Sequence, residues 1–195
     1  MKTFVEIPTK FNPILKFGIL VAEKITGNKL LPARILSLYP KTAIGSGVLE
    51  SLAPHKDKNI SRRLLKLVRM KTSFYISCPF CIDMNSNEYA KYGITNDEVL
   101  ALQGAKNMDE VKTFTNREKT ALEYVEGASQ TPISFSEELI TKVKQHFTDR
   151  EMVILASTIA QVNYWGRLIQ SLGIPPAGFS DKCDILHLDN YSTLK

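Results

Sequence analysis

Apolar residues recur at three- and four-residue steps along most of this chain, the spacing that puts them on one face of an α-helix. Between Ile60 and Ser77 the series is Ile60, Leu64, Leu65, Leu67, Val68, Phe74 and Tyr75, and 94–102, 121–125, 139–147 and 152–169 repeat it. No comparable stretch alternates with period two, so the pattern predicts an all-α fold. Thr95 with Glu98, Thr115 with Glu118, and Thr148 with Glu151 are each Thr-x-x-Glu, in which hydroxyl and carboxylate satisfy free N–H groups reciprocally at a helix start. Gly93, Gly104, Gly127 and Gly173 read as stops, the last followed by Pro175 and Pro176.

The expected map begins with an irregular leader to Pro13, a helix to about Thr26 and a broken helical pair around Pro40 that runs to Ala53. A long helix from about Asn59 to Ser77 follows, then one opening at Cys78 and ending near Tyr92, and a short one after Thr95. Helices from about Thr115 to Ser129, Ser136 to Phe147 and Thr148 to Leu172 complete the set, with a non-helical tail beyond Gly173. No linker separates domains, so 1–195 reads as a single all-helical domain.

With 195 residues, 44% of them apolar and 23% charged, the chain has the composition of a folded domain. The early apolar run Phe17 to Ala22 is bracketed by Lys16 and Glu23, too short for a membrane span or a good secretory signal, and a cytoplasmic protein is expected. The net charge is +5, but the cations alternate with carboxylates. Arg62, Arg63, Lys66, Arg69 and Lys71 share one predicted helix, and they read as its solvated face rather than as a nucleic-acid surface. The apolar crowding at Val153, Ile154, Leu155 and Ile159 exceeds what a monomer of this size need bury, which points to a homo-oligomer.

Three cysteines cannot build a disulfide framework, and two of them form Cys78-Pro79-Phe80-Cys81. Pro79 suits the first turn of a new helix, so the pair sits at a helix N-terminus, where free N–H groups and the helix dipole favour a thiolate. Two intervening residues let the sulfurs meet in one turn, so an oxidised sulfur can be resolved as an intramolecular disulfide. Asn85, four residues after Cys81, shares its helix face and can hydrogen-bond to whatever the sulfur holds. Cys183 and His187 would complete a four-ligand zinc set with the pair, although packing or surface roles suit them better. His55 and His146 stand alone.

The stretch Arg62 to Gly93, RRLLKLVRMKTSFYISCPFCIDMNSNEYAKYG, resembles the core of the carboxymuconolactone decarboxylase superfamily, specifically its AhpD-like alkylhydroperoxidase branch. The segments TNREKTALEYVEGASQTP and FTDREMVILASTIAQVNYWGRLIQSLGI, including the spacing of Asn163 and Arg167, are similar to the C-terminal half of family members. The resemblance covers about 62–176, leaving an N-terminal helical extension over 1–60 and an irregular tail over 174–195. It implies an AhpD-like helical domain assembled into trimers or hexamers, with no metal or organic cofactor. The implied chemistry is reduction of a small peroxide by the cysteine pair, recharged by a disulfide-exchanging electron donor. By the family's pattern Cys81 attacks and Cys78 resolves, whereas a helix N-terminus by itself favours Cys78 as the thiolate.

Two positions depart from that pattern. Asn85 stands where the family has a relay His, and Lys66 where it has a Glu. Neither replacement accepts a thiol proton at neutral pH, because an amide does not titrate and Lys holds its own proton to about pH 10. Lys66 either favours the thiolate as a nearby charge or snorkels to solvent. Besides the redox reading stand a decarboxylase-like lyase and a non-catalytic helical oligomer with a structural cysteine pair. A reversible Cys78–Cys81 disulfide distinguishes the first from both.

Overall fold

The structure, a computed structural model, describes residues 3–51, 55 and 57–180, and no strand occurs among them. The helices are α1 (Pro13–Thr26), α2 (Leu31–Leu36), α3 (Pro40–Ser51), α4 (Arg62–Tyr75), α5 (Pro79–Ser86), α6 (Asn96–Leu102), α7 (Asn116–Ser129), α8 (Glu137–His146) and α9 (Asp149–Ser171). Two 3-10 turns, Tyr89–Tyr92 and Met108–Glu110, flank α6. No helix is long and apolar enough to cross a membrane among the described residues.

Helix α4 is the centre of the fold, packed against α9, α7 and α5. Its apolar side splits into two faces. Leu64, Leu65 and Val68 join α7, α8 and α9 in one core cluster. Leu67, Met70 and Phe74 join Ile82, Val99, Leu102 and Leu122 in a second. A helix enclosed on that much of its circumference has little room for a solvated cationic face, and the expectation for its cations is corrected. Arg63 bridges Glu98 and Glu118, Lys71 pairs with Glu126 at 2.7 Å, Lys66 donates to the Asn87 carbonyl and Arg69 to Gln161 Oε1, while Arg62 is exposed. Four of the five cations thus satisfy partners on neighbouring elements, and Arg62 faces solvent.

All three Thr-x-x-Glu sequences form capping boxes, starting α6, α7 and α9. Each capping glutamate is buried and also takes an arginine: Arg63 for Glu98 and Glu118, Arg117 for Glu151. Local capping and long-range ion pairing thus share one carboxylate. Gly127 does not stop α7, which continues to Ser129. A Cβ there would come within 2.6 Å of Phe135 Cδ1 and 2.7 Å of the Ser134 carbonyl, so the glycine makes room for the returning chain. The helix opening at Cys78 ends at Ser86 rather than near Tyr92, because the chain turns out at Glu88, whose φ is 53°, into a 3-10 turn.

Apolar crowding on α9 finds its partners within the chain: Ile154, Leu155 and Ile159 are buried and Val153 is exposed. The large unpartnered apolar surface lies instead in the N-terminal extension. Helix α1 buries none of its residues, with Ile14 81% and Ile25 80% exposed along a stripe shared by Phe17 and Val21, and Ile44 and Val48 of α3 are also exposed.

Candidate functional site

The turn between α4 and α5 builds the site. Ser77 takes a left-handed conformation, φ 48°, its N–H donating to the Phe74 carbonyl at 3.0 Å and the Cys78 N–H to the Ser73 carbonyl at 3.3 Å. These two bonds are a Schellman closure of α4 with serine in the position glycine usually fills. The chain leaves α4 at once into α5, so Cys78 becomes the N-cap of α5 with Pro79 behind it. Gly166 of α9 packs on this turn, and a Cβ there would collide with Ile76 Cδ1 and lie 3.5 Å from Cys78 Cβ.

Both cysteines are free thiols, with Cys78 0% and Cys81 1% exposed. Their sulfurs are 2.6 Å apart, and Cys78 Sγ also accepts the Cys81 backbone N–H at 3.3 Å. The pair is electrically asymmetric. The Cys81 thiol and the N–H groups of Cys81 and Phe80 donate to Cys78 and, against its burial, hold its pKa below the ordinary thiol value. Cys81, which gives its hydrogen bond to Cys78, is pushed well above that value by that bond, by burial and by the negative charges of Cys78 and Glu50. Of the two sulfurs, Cys78 is therefore the one that its surroundings favour to lose a proton, as its place at the helix N-terminus also favours.

Asn85 is buried one turn beyond Cys81 on α5, and its Nδ2 donates to Ser73 Oγ at 2.9 Å. Its amide is thus tied to α4 beside the pair. Lys66 is placed differently from either expectation. Its ammonium donates to the Asn87 carbonyl at 2.8 Å and lies 5.1 Å from the centre of the Tyr92 ring, beyond the C-terminal end of α5, whereas the sulfurs sit at its N-terminal end. Burial and the neighbouring Arg69 lower its pKa to about 8. Asn163 bonds Ser129 Oγ and Arg167 bonds Thr131 Oγ1, both at the α7 end of the molecule.

Three features here have no counterpart in the sequence reading. The first is Asp83, fully buried on α5, which accepts hydrogen bonds from the N–H groups of Ala177, Gly178 and Ser180 and from the Ser180 hydroxyl. It ties the segment after α9 to the cysteine helix, and Ile174, Ala177 and Phe179 share an apolar cluster with Cys78, Phe80 and Cys81. The second is Trp165, which packs against the same cluster. The third is Glu50 of α3, whose Oε2 accepts from Trp165 Nε1 and Gln161 Nε2, each at 2.9 Å. An Asp two residues past a Cys-x-x-Cys was visible in the sequence, but its partners lie 94–97 residues away. Among the described residues no group of three or more His, Cys, Asp or Glu could hold a metal ion, and Cys183 and His187 lie outside those residues.

No family profile matches the chain. The uncharacterized protein YdfG of Bacillus subtilis (strain 168) is 29% identical over 119 residues, 60% of this chain and 79% of its own length. The uncharacterized protein YnjA of Escherichia coli (strain K12) is 30% identical over 112 residues, and the match spans 57% of this chain and 60% of YnjA. Among solved structures, the alkylhydroperoxidase AhpD core of a peroxidase-related protein from Ralstonia eutropha JMP134 superposes with a TM-score of 0.73 at 14% identity, covering 89% of this chain and 92% of that one. The fold is AhpD-like. The debrominase Bmp8, solved as a cysteine-to-alanine variant in complex with 2,3,4-tribromopyrrole, shares it with a TM-score of 0.72 at 16% identity over 88% of this chain and 92% of Bmp8. In this chain the AhpD-like fold places its dithiol at the junction of the central helix α4 and the next, α5.

Proposed function

We propose that this protein is a thiol–disulfide oxidoreductase that reduces peroxides through Cys78 and Cys81. The observation that carries the reading is the pair itself: a Cys78 sulfur at a helix N-terminus, its pKa lowered, with the Cys81 thiol 2.6 Å away. The Cys78 thiolate attacks the outer oxygen of a hydroperoxide. An S–O bond forms, the O–O bond breaks, and the alkoxide leaves with a proton as alcohol. Cys81 then attacks the Cys78 sulfenic acid. The S–S bond forms, the S–O bond breaks, and hydroxide leaves with the Cys81 proton as water. A disulfide-exchanging donor returns two electrons and two protons. Both thiols are covered, and Ile174, Ala177 and Phe179 after α9 and Ile35 of α2 pack in the cluster around them, so the reaction requires one of these segments to move aside, and a small substrate suits that enclosure.

The likeness to Bmp8 supports a second reading, in which the same dithiol removes halide from an aromatic ring. Ring–bromine is exchanged for ring–hydrogen, bromide leaves, and the two thiols become a disulfide. The exposed apolar faces of α1 and α3 fit burial against further copies of the chain, in keeping with the trimer or hexamer that the resemblance implies. Mass spectrometry after one equivalent of peroxide tests the main reading: loss of two hydrogens within the peptide carrying Cys78 and Cys81, reversed by dithiothreitol and absent in Cys78→Ser, is expected. Unchanged mass and unaltered thiols after peroxide would refute it, and oxidation by a bromopyrrole alone would favour the second reading.

A further inference from the structure

We propose that the cavity between α2, the leader and the segment after α9 binds the body of the substrate, and that this substrate is an organic hydroperoxide carrying one carboxylate, a short- to medium-chain fatty-acid hydroperoxide. The proposal rests on the redox reading above and names the substrate class for it. The cavity holds about 380 Å³, a small-molecule volume, and is lined by Ile7, Leu31, Pro175, Pro176 and Ala177 together with Lys29 and Arg34. Apolar walls with two cations among them suit an apolar chain that ends in an anion.

Two shared walls put the cavity beside the thiols. Leu31 and Ala177 line it and also pack against the cluster that holds Cys78 and Cys81. On α2, Leu31 and Ile35 are four residues apart and give one helix face to that cluster, while Arg34 lines the cavity. The cavity therefore runs along the seam between α2 and the segment after α9, the two covers of which one must part for the thiols to react. The leader is fastened to this seam: the Phe4 N–H donates to the Leu172 carbonyl at 3.0 Å, and the Phe4 ring occupies the space that a Cβ on Gly173, φ 63°, would need. Ala177 is held from the other side, its N–H donating to Asp83 Oδ2 at 2.8 Å.

The charge at the cavity is left over rather than neutralised. Glu23 accepts from Arg34 Nε and Nη2, each at 2.7 Å, and from the Leu30 N–H at 3.0 Å, and the guanidinium holds its carboxyl below the ordinary carboxylate value. That pair is neutral as a unit, and it fixes Arg34, whose guanidinium also lies 6.0 Å from the centre of the Phe11 ring. Arg34 Nη1 and the exposed Lys29 ammonium have no acceptor among the described residues. One positive charge is thus unbalanced at the cavity, with N–H donors from two side chains available to a monoanion.

Two hydroperoxides that differ only in charge, ω-hydroperoxydecanoate and its methyl ester, test the assignment. The ratio of their rates of disulfide formation in the full chain, read by loss of free thiols, measures what the cations contribute. We expect the acid to react about 10-fold faster than the ester at subsaturating concentration, the worth of one charge-assisted hydrogen bond, and Lys29→Glu to bring the ratio to about one or below. Each variant is compared with itself on two substrates, so partial unfolding does not mimic the change. Decanoate, below its micelle-forming concentration, should bind the parent by calorimetry and compete with the acid, and acetate, which lacks the apolar chain, should do neither. Equal rates for acid and ester in the parent, or a ratio unmoved by Lys29→Glu, would overturn the proposal while disulfide formation with either substrate keeps the peroxidase reading. If decanoate binds and Lys29→Glu weakens it, yet no hydroperoxide oxidises the pair, the peroxidase reading falls and the cavity stands as a carboxylate site.

Discussion

Asp83 and Ser180, 97 residues apart, are joined by two hydrogen bonds to a single oxygen: Asp83 Oδ1 accepts the Ser180 N–H at 2.7 Å and its hydroxyl at 2.8 Å. Oδ2 takes the N–H groups of Ala177 and Gly178. Four donors compensate a carboxylate that is fully buried, and together they clasp the post-α9 segment onto the helix carrying the cysteines. Removing the carboxylate strands three backbone N–H groups. Asp83→Ala should therefore cost about 3–5 kcal/mol of stability, read as a lowered denaturation midpoint. The same variant should accelerate alkylation of Cys78, because the segment is released from the cluster around the sulfurs.

Ser77 holds a left-handed backbone without being glycine, a conformation that costs an L-residue roughly 1–2 kcal/mol. Its hydroxyl contributes only a long 3.5 Å contact to the Phe74 carbonyl. Ser77→Gly should raise stability by up to about 1 kcal/mol, net of the glycine's larger unfolded-state entropy, and leave the thiol geometry intact. Ser77→Val should lower stability and disturb Cys78, since the branched side chain resists the turn that makes Cys78 an N-cap. Chemical denaturation together with alkylation rates checks both.

Lys66 carries its own pH signature. Its pKa is about 8 in the fold against 10.5 unfolded, so between those values the unfolded chain binds more protons. Stability contributed through this group is therefore least below about pH 8 and rises with pH to about 10.5. Measured against Lys66→Met, the parent should gain up to about 3 kcal/mol across that window. A difference that stays flat from pH 7 to 10.5 would mean the ammonium is better solvated than its burial implies.

The apolar stripe of α1 predicts association. The parent should exceed the monomer mass by light scattering at micromolar concentration, and Phe17→Glu, placed on a residue 72% exposed in the single chain, should shift it toward monomer without loss of helix content. A parent that is monomeric throughout would leave α1 without the partner that its composition calls for.

The helices, their starts and the cysteine pair were legible in the sequence because each depends on residues within one or two turns. A Thr-x-x-Glu box closes on itself, and Cys-x-x-Cys with proline in between belongs at a helix N-terminus whatever surrounds it. Several assignments rested on tertiary context instead. Gly127 looked like a stop, yet α7 passes through it because Phe135 and Ser134 need the space a Cβ would fill. The cations of α4 looked solvated, yet their partners lie on other elements, from 21 residues away at Asn87 to 92 at Gln161. The same holds for Asp83, whose donors come from after α9, and for Glu50, fixed by side chains 111 and 115 residues distant. Local hydrogen bonding and helical periodicity are short-range, so the sequence by itself determined where the helices begin and where the thiols sit. Which of the two thiols loses its proton more readily was decided only when α4, α5 and α9 packed together, since burial and Coulomb interactions act through space rather than along the chain.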